Sequence, residues 1–198
     1  MTQIVEPWQL LVAAVVGFLV GSINPATIVA RARGINLRDI GSGNPGATNT
    51  ARALGARTGV LVGFLDIMKG FIPAAAFSQW GPAAGEVAGL AAVLGHIFSP
   101  FLKGRGGKGV ATTLGAVLGV QPLWAVPMLI GFGVGSALTR RVGLGAVAGA
   151  LVLIALGIWW ADALDEQFFA ITLGVIVIIR HHANIRAVFT SRAEGDSG

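Results

Sequence analysis

The chain has no cysteine, no tyrosine and few charges. Without cysteine, disulfides and thiolate metal sites are excluded. Charged residues make up only 12% of the chain and hydrophobic residues 54%, whereas ordinary soluble domains carry roughly 25% charge. That balance excludes a soluble domain and indicates an integral membrane protein. The net charge of +5 does not point to nucleic acid, because a nucleic-acid surface interleaves its cations with stacking aromatics. Here the basic residues stand at the ends of apolar segments. The carboxylates are too scattered to form a cage, so no metal and no cofactor is read from the chain.

Glycine, by contrast, is abundant at 30 residues, and in membrane helices it lets neighbouring backbones approach closely. About twenty apolar residues span a bilayer. On that rule seven segments follow, at about 9–30, 54–77, 83–99, 110–120, 123–138, 144–161 and 168–179. The fourth is too short to span alone and is broken by Gln121-Pro122. A half-length helix descending from a glycine-rich loop is expected where irregular backbone is buried in protein or lines a polar cavity. The first segment has no Lys or Arg before it, so it lacks the basic start of a signal peptide and is expected to be retained.

An odd number of crossings puts the termini on opposite faces, and the cations test that count. Every Lys and Arg except Lys69 falls on one side, which the positive-inside rule makes cytoplasmic. Glu6, Asp162, Asp165 and Glu166 fall on the other. The expected fold is therefore an all-α integral membrane protein of seven transmembrane helices, the fourth short. Its N-terminus lies outside, its C-terminus is cytoplasmic, and two glycine-rich loops face the cytoplasm. Residues 1–198 form a single membrane-embedded domain, with 190–198 as a disordered tail.

The first of those loops, Gly41-Ser42-Gly43-Asn44-Pro45-Gly46-Ala47-Thr48-Asn49, holds no apolar side chain larger than alanine or the proline ring. Its glycines free backbone N–H groups to turn toward one anion, and Ser42, Thr48 and Asn49 add donors without bulk. Such a loop can hold a phosphate. Gly41, Gly43 and Gly46 also satisfy G-x-G-x-x-G, but a dinucleotide site needs a βαβ setting that is lacking here. The second loop, around Lys103-Gly104-Arg105-Gly106-Gly107-Lys108, shares the cytoplasmic face with His181, His182 and Asn184. Together these suit more than one phosphate. The plainer reading, cations meeting anionic lipid headgroups, fits Arg31, Arg33, Arg140 and Arg141 better than it fits a loop of amides and hydroxyls.

Five blocks carry a resemblance that runs in order across almost the whole chain: 21–26 (GSINPA), 41–49, 66–70 (DIMKG), 95–112 and 181–185 (HHANI). Jointly they resemble the bacterial acyl-phosphate glycerol-3-phosphate acyltransferase family, the PlsY type. The resemblance implies transfer of an acyl group from acyl phosphate to the 1-hydroxyl of sn-glycerol 3-phosphate, giving lysophosphatidic acid and inorganic phosphate. It implies an enzyme of the bacterial inner membrane, surrounded by membrane lipids. By motif, Ser42, Arg52, Lys108, His181 and Asn184 would carry catalysis. Gly41, Gly43, Asn44, Gly46, Thr48, Asn49, Gly106 and Gly107 would bind substrate. Two positions depart from the family pattern: Gly143-Leu144-Gly145-Ala146 stands where Ser-Leu-x-Ser is usual, and His182 stands where an Arg is common.

Other readings were weighed against this one. A carrier of small organic phosphates also uses broken helices beside glycine loops, but the cations lie on one face and no inverted halves are visible. A His-x4-Asp acyltransferase is unsupported, since no histidine has an Asp at that spacing. Asp66 and Lys69, three residues apart, lie on one face of a membrane helix, and Lys69 is expected to pair with Asp66 or Glu86. His96 is read as structural, and the spacings of Gly81, Gly85 and Gly89 and of Gly145 and Gly149 as helix contacts.

Overall fold

A computed structural model of the chain describes residues 5–195, with side chains through 188. Among the described residues the regular structure is helical, with no strand. The chain divides into two compact units, Met1–Pro122 and Leu123–Gly198. In the first lie α1 (Pro7–Ser22), α2 (Pro25–Ala32), α3 (Ala47–Leu54), α4 (Ala56–Phe77), α5 (Pro82–Ile97) and α6 (Val110–Val120). In the second lie α7 (Ala125–Thr139), α8 (Val142–Trp160), α9 (Leu164–Arg180) and α10 (His182–Gly195).

Each apolar segment read from the sequence coincides with helix. Five stretches are long and apolar enough to cross a membrane: Pro7–Ala32, Ala56–Trp80, Pro82–Leu102, Pro122–Thr139 and Val142–Trp160. A sixth is reached if Leu164–Arg180 and His182–Val188, bent by 57°, count as one. Helix α6 has 11 residues, too few to span alone. The polar tail divides at Gly195: residues 190–195 continue α10, and 196–198 lie outside the described residues.

The first apolar segment departs from a single helix. It is broken at Ile23-Asn24, because Pro25 has no N–H to give and pushes the residue before it out of the helical region. Asn24 is accordingly extended (φ −113°, ψ 96°), and its side chain caps α2 by accepting from the Thr27 N–H at 2.8 Å. A break in an apolar helix frees carbonyls that lipid cannot satisfy. Two side chains take them up: Ser99 Oγ donates to the Ser22 carbonyl at 2.7 Å, and Lys69 Nζ to the Ile23 carbonyl at 2.7 Å.

The helices pack through small residues and turn large ones outward. Fully buried positions include Ala13, Ala84, Ala88 and Ala92, while Leu11, Leu123 and Leu138 are 66%, 82% and 81% exposed. That is the distribution expected when lipid solvates the outer face and close backbone approach supplies the contacts within. On α1, a Cβ added at Gly21 would lie 2.0 Å from the Ala92 carbonyl oxygen of α5. The seam admits no side chain there. Gly85 and Gly89 lie against Ala74 and Ala116, and in the second unit Gly145 and Gly149 lie against Phe132 and Met128, so these spacings do mark helix contacts.

Gly21→Val therefore overpacks a seam of backbone against backbone. It should cost about 1–3 kcal/mol, read as a fall in the thermal midpoint of the detergent-purified protein. Val12→Ala, on an exposed apolar position of the same helix, should leave the midpoint nearly unchanged.

Candidate active site

The first glycine loop is built from within by one amide. Asn49, in the first turn of α3, is 2% exposed. Its Nδ2 donates to the Leu37 carbonyl at 3.0 Å and the Ile40 carbonyl at 2.9 Å, and its Oδ1 accepts from the Ser42 N–H at 3.2 Å. A primary amide has two hydrogens, and both are spent. Read from the sequence as a phosphate donor, Asn49 instead shapes the cradle. The Ser42 N–H is likewise taken by Asn49, and the Ser42 Oγ accepts from the Asn44 N–H at 3.4 Å. Asn24, the α2 cap, donates its own Nδ2 to the Pro45 carbonyl at 3.1 Å, which pins the loop to the break in the first segment.

Gly41 and Gly43 hold φ of +55° and +65°, conformations that favour glycine. At Gly41 the space is also closed: a Cβ would lie 2.5 Å from Asn49 Oδ1 and 3.7 Å from Arg52 Nη1. The Arg52 guanidinium thus stands beside the loop backbone. Thr48 and Arg52 are one turn apart on α3 and both exposed, as is Ser42. The first-turn N–H groups of α3, which have no intrahelical acceptors, open on the same loop. These groups, and not the Asn49 side chain, are the ones left to meet an anion.

In the second loop, residues 99–109, the chain folds back over the end of α5. The N–H groups of Gly106 and Gly107 donate to the carbonyls of Ile97 (2.8 Å) and His96 (3.1 Å). A Cβ at Gly106 would lie 1.8 Å from the His96 carbonyl oxygen, and one at Gly107 would lie 2.1 Å from His96 Nε2. Both glycines were expected to bind substrate; the structure spends their N–H groups on the α5 terminus, and their bareness answers to packing. Lys108, half-buried, follows directly, and Gly109 (φ +87°) caps α6.

Arg38 was read from the sequence only as one cation among several. It donates through Nη1 to the Gly43 carbonyl at 3.3 Å and through Nη2 to the Arg105 carbonyl, so it bridges the two glycine loops. No pattern in the sequence marks that bridge, because its acceptors are main-chain atoms, one of them 67 residues away. An open cleft of about 840 Å³ lies beside it, lined by Arg31, Arg38, Lys103 and Arg105 among others, with Pro45 at its border and Phe101 and Leu102 on the apolar side.

In the membrane helices Lys69 Nζ lies 3.0 Å from Asp66 Oδ1. Asp66 is one of the two partners expected for Lys69.

In the second unit His181 is 3% exposed at the end of α9, with Nδ1 2.8 Å from the Val177 carbonyl. A carbonyl can only accept, so Nδ1 carries the hydrogen. Asn184, on α10, packs against Gly143: a Cβ there would lie 2.2 Å from Asn184 Nδ2. The departure from serine at 143 thus coincides with an amide that fills the space. His182 is exposed, with Nδ1 3.0 Å from the Ile179 carbonyl.

Apolar faces turned outward, a polar-stapled break in the first segment and a glycine loop with exposed hydroxyls beside exposed cations define an integral membrane protein with polar loops set on apolar helices. Comparison with known proteins makes the class specific. The family model described as glycerol-3-phosphate acyltransferase matches residues 11–191. The chain belongs to that family. It is 39% identical over 186 residues to the glycerol-3-phosphate acyltransferase of Aquifex aeolicus, covering 92% of this chain and 96% of that protein. It is 41% identical over 183 residues to that of Geobacter sulfurreducens, covering 89% and 92%. Among solved structures it is similar to PlsY (YgiH), an integral membrane glycerol 3-phosphate acyltransferase, in its glycerol 3-phosphate form. There the TM-score is 0.86 at 38% identity, over 92% of this chain and 93% of that one. The lysophosphatidic acid form of PlsY matches with a TM-score of 0.84 at 37% identity.

The commitment of Asn49 to the loop has a testable consequence. Asn49→Asp keeps the shape but sets a carboxylate oxygen against two carbonyls, so it should destabilise by about 1–3 kcal/mol and be at least as damaging as Asn49→Ala. The check is the thermal midpoint alongside kinetics. A raised KM with an unchanged midpoint would instead make Asn49 a substrate ligand.

Proposed function

We propose that the protein transfers a fatty acyl group from acyl phosphate to the 1-hydroxyl of sn-glycerol 3-phosphate at the cytoplasmic face of the bacterial inner membrane. The observation that carries the reading is the cradle at Gly41. Positive-φ glycines, an internal amide staple and the first turn of α3 bring exposed Ser42 and Thr48 and the Arg52 guanidinium to one small loop. Family membership and the likeness to PlsY in its glycerol 3-phosphate form support the same acceptor.

The chemistry asks for positioning and charge stabilisation more than for activation, since acyl phosphate is already a mixed anhydride. The acceptor hydroxyl oxygen forms a bond to the acyl carbonyl carbon. The bond from that carbon to the phosphate oxygen breaks, and inorganic phosphate leaves with the electron pair. The proton of the hydroxyl passes to the donor's phosphate, so no protein base is obligatory. The N–H groups of Gly43, Asn44 and Gly46, expected from the sequence to hold the donor phosphate, are taken within the loop, so that role falls to Ser42, Thr48 and the first-turn N–H groups of α3. Arg52 and Lys108 meet phosphate as cations, while His181 and Asn184 help place glycerol 3-phosphate. The His181 ring is anchored by Nδ1 to the Val177 carbonyl.

A carrier of organic phosphates is less well supported. The break at Ile23-Asn24 is the feature it would use, yet both freed carbonyls already accept from Ser99 and Lys69.

The donor is tested by offering acyl phosphate, acyl-CoA and acyl-carrier protein separately to purified protein. Acylated product is expected from acyl phosphate alone, and turnover of acyl-CoA without acyl phosphate would sink the donor assignment. Arg52→Ala should raise the KM for glycerol 3-phosphate about tenfold to a hundredfold, since charge-assisted hydrogen bonds contribute about 1.5–3 kcal/mol. A KM raised for acyl phosphate instead would exchange the two phosphates between the groups. His181→Ala should weaken binding of glycerol 3-phosphate as much as turnover. A loss confined to kcat would make His181 a base.

A further inference from the structure

Beneath the second loop, three ionisable side chains that the acyl-transfer scheme does not use lie buried together on α4 and α5. Asp66, Lys69 and His96 are 2%, 6% and 4% exposed. The Asp66 carboxylate takes Lys69 Nζ at 3.0 Å and stands 3.5 Å from His96 Nδ1. With Nδ1 facing the carboxylate, Nε2 is turned the other way. On that side is the main chain of Gly107, so close that a Cβ would lie 2.1 Å from Nε2.

The same histidine also receives the Gly107 N–H on its carbonyl at 3.1 Å, while Ile97 receives that of Gly106 at 2.8 Å. The two residues immediately before Lys108 are therefore hydrogen-bonded to the backbone of the α5 end, with the His96 ring packed against Gly107. Burying three ionisable groups carries a desolvation penalty of several kcal/mol per ion, and a well-packed apolar set of similar volume is often neutral or more stable. Holding α4 against α5 does not require them. Lys69 has a separate duty at the Ile23 carbonyl, and Asp66 neutralises it. His96 is the member of the trio whose ring is turned to the loop.

We propose that His96 is a positioning residue for Lys108: with its ring oriented by Asp66, it fixes the Gly106-Gly107 backbone so that the following ammonium is presented to a substrate phosphate. This rests on the acyl-transfer reading of the site, and the test separates the two.

The experiment is a double-mutant cycle in the full-length, detergent-purified protein, comparing parent, His96→Ala, Lys108→Ala and the double variant. KM for glycerol 3-phosphate and the thermal midpoint are both read, with whichever acyl donor the parent accepts. In the parent background His96→Ala should raise KM at least tenfold, whereas in the Lys108→Ala background it should add less than twofold, because the group it positions is gone. His96→Gln, which can still reach between carboxylate and loop, should recover most of the loss. An equal fold-change in both backgrounds, or a lowered thermal midpoint with KM unchanged, would overturn the proposal and make His96 a packing residue. If His96→Ala does not fold, the cycle is run with His96→Asn. A parent inactive with every donor would refute the acyl-transfer reading instead, and the cycle would then be read from direct binding of glycerol 3-phosphate with the same expected non-additivity.

Discussion

The structure of the first unit depends on how two carbonyls are satisfied away from water. Where Pro25 interrupts the first apolar segment, the Ser22 and Ile23 carbonyls lose helical partners in a place where lipid can offer none. Ser99, arriving from the end of α5, and Lys69, from within α4, donate to them at 2.7 Å each. A cation at that depth in turn requires a counter-charge, which Asp66 supplies at 3.0 Å. The break also frees Asn24 to cap α2 and to hold the Pro45 carbonyl. One backbone interruption thus fixes where the second glycine loop leaves α5 and where the first is anchored.

The two loops look alike in sequence and are held in different ways. In the first, positive-φ glycines let the chain wrap around the Asn49 amide, so the polar side chain lies inside and the exposed hydroxyls and Arg52 lie outside. In the second, Gly106 and Gly107 are bare because they lie on the carbonyl and ring of His96, and they complete the last turn of α5. At Gly43 glycine serves conformation, whereas at Gly106 and Gly107 it serves close approach. Arg38 then couples them through the carbonyls of Gly43 and Arg105.

Much of this was legible in the sequence, for reasons that differ by residue. The apolar segments were readable because hydropathy over about twenty residues reports directly on membrane span. That Lys69 would pair with Asp66 or Glu86 followed from the penalty of a lone charge in lipid, and the structure shows the Asp66 pair. The break at Asn24-Pro25 was passed over because the apolar composition runs through it without interruption. Asn49 was taken for a ligand because an amide among glycines has the same letters whether it points into the loop or out of it. Arg38 was passed over because its acceptors are carbonyls, which every residue possesses. Hydrogen bonds to main chain leave almost no trace in residue identity, and in this protein they decide which polar groups remain for substrate.

That last point bears on how a site of this kind achieves rigidity without a large apolar core around it. The buried interior is mostly alanine and glycine, which pack closely but offer few interlocking side chains to hold a loop in register. Polar staples supply the register instead: Asn24 on Pro45, Asn49 on Leu37 and Ile40, Arg38 on Gly43 and Arg105, and the α5 terminus on Gly106 and Gly107. Each fixes backbone, and backbone position decides where the exposed groups stand. For the acyl transfer proposed above, the donor carbonyl and the acceptor hydroxyl must be held together, so an error of about an ångström in a phosphate ligand would be costly to rate. The polar residues of these loops therefore divide into an inner set that spends its hydrogen bonds on the chain and an outer set, Ser42, Thr48 and Arg52 with Lys108 beyond the second loop, that the inner set aims.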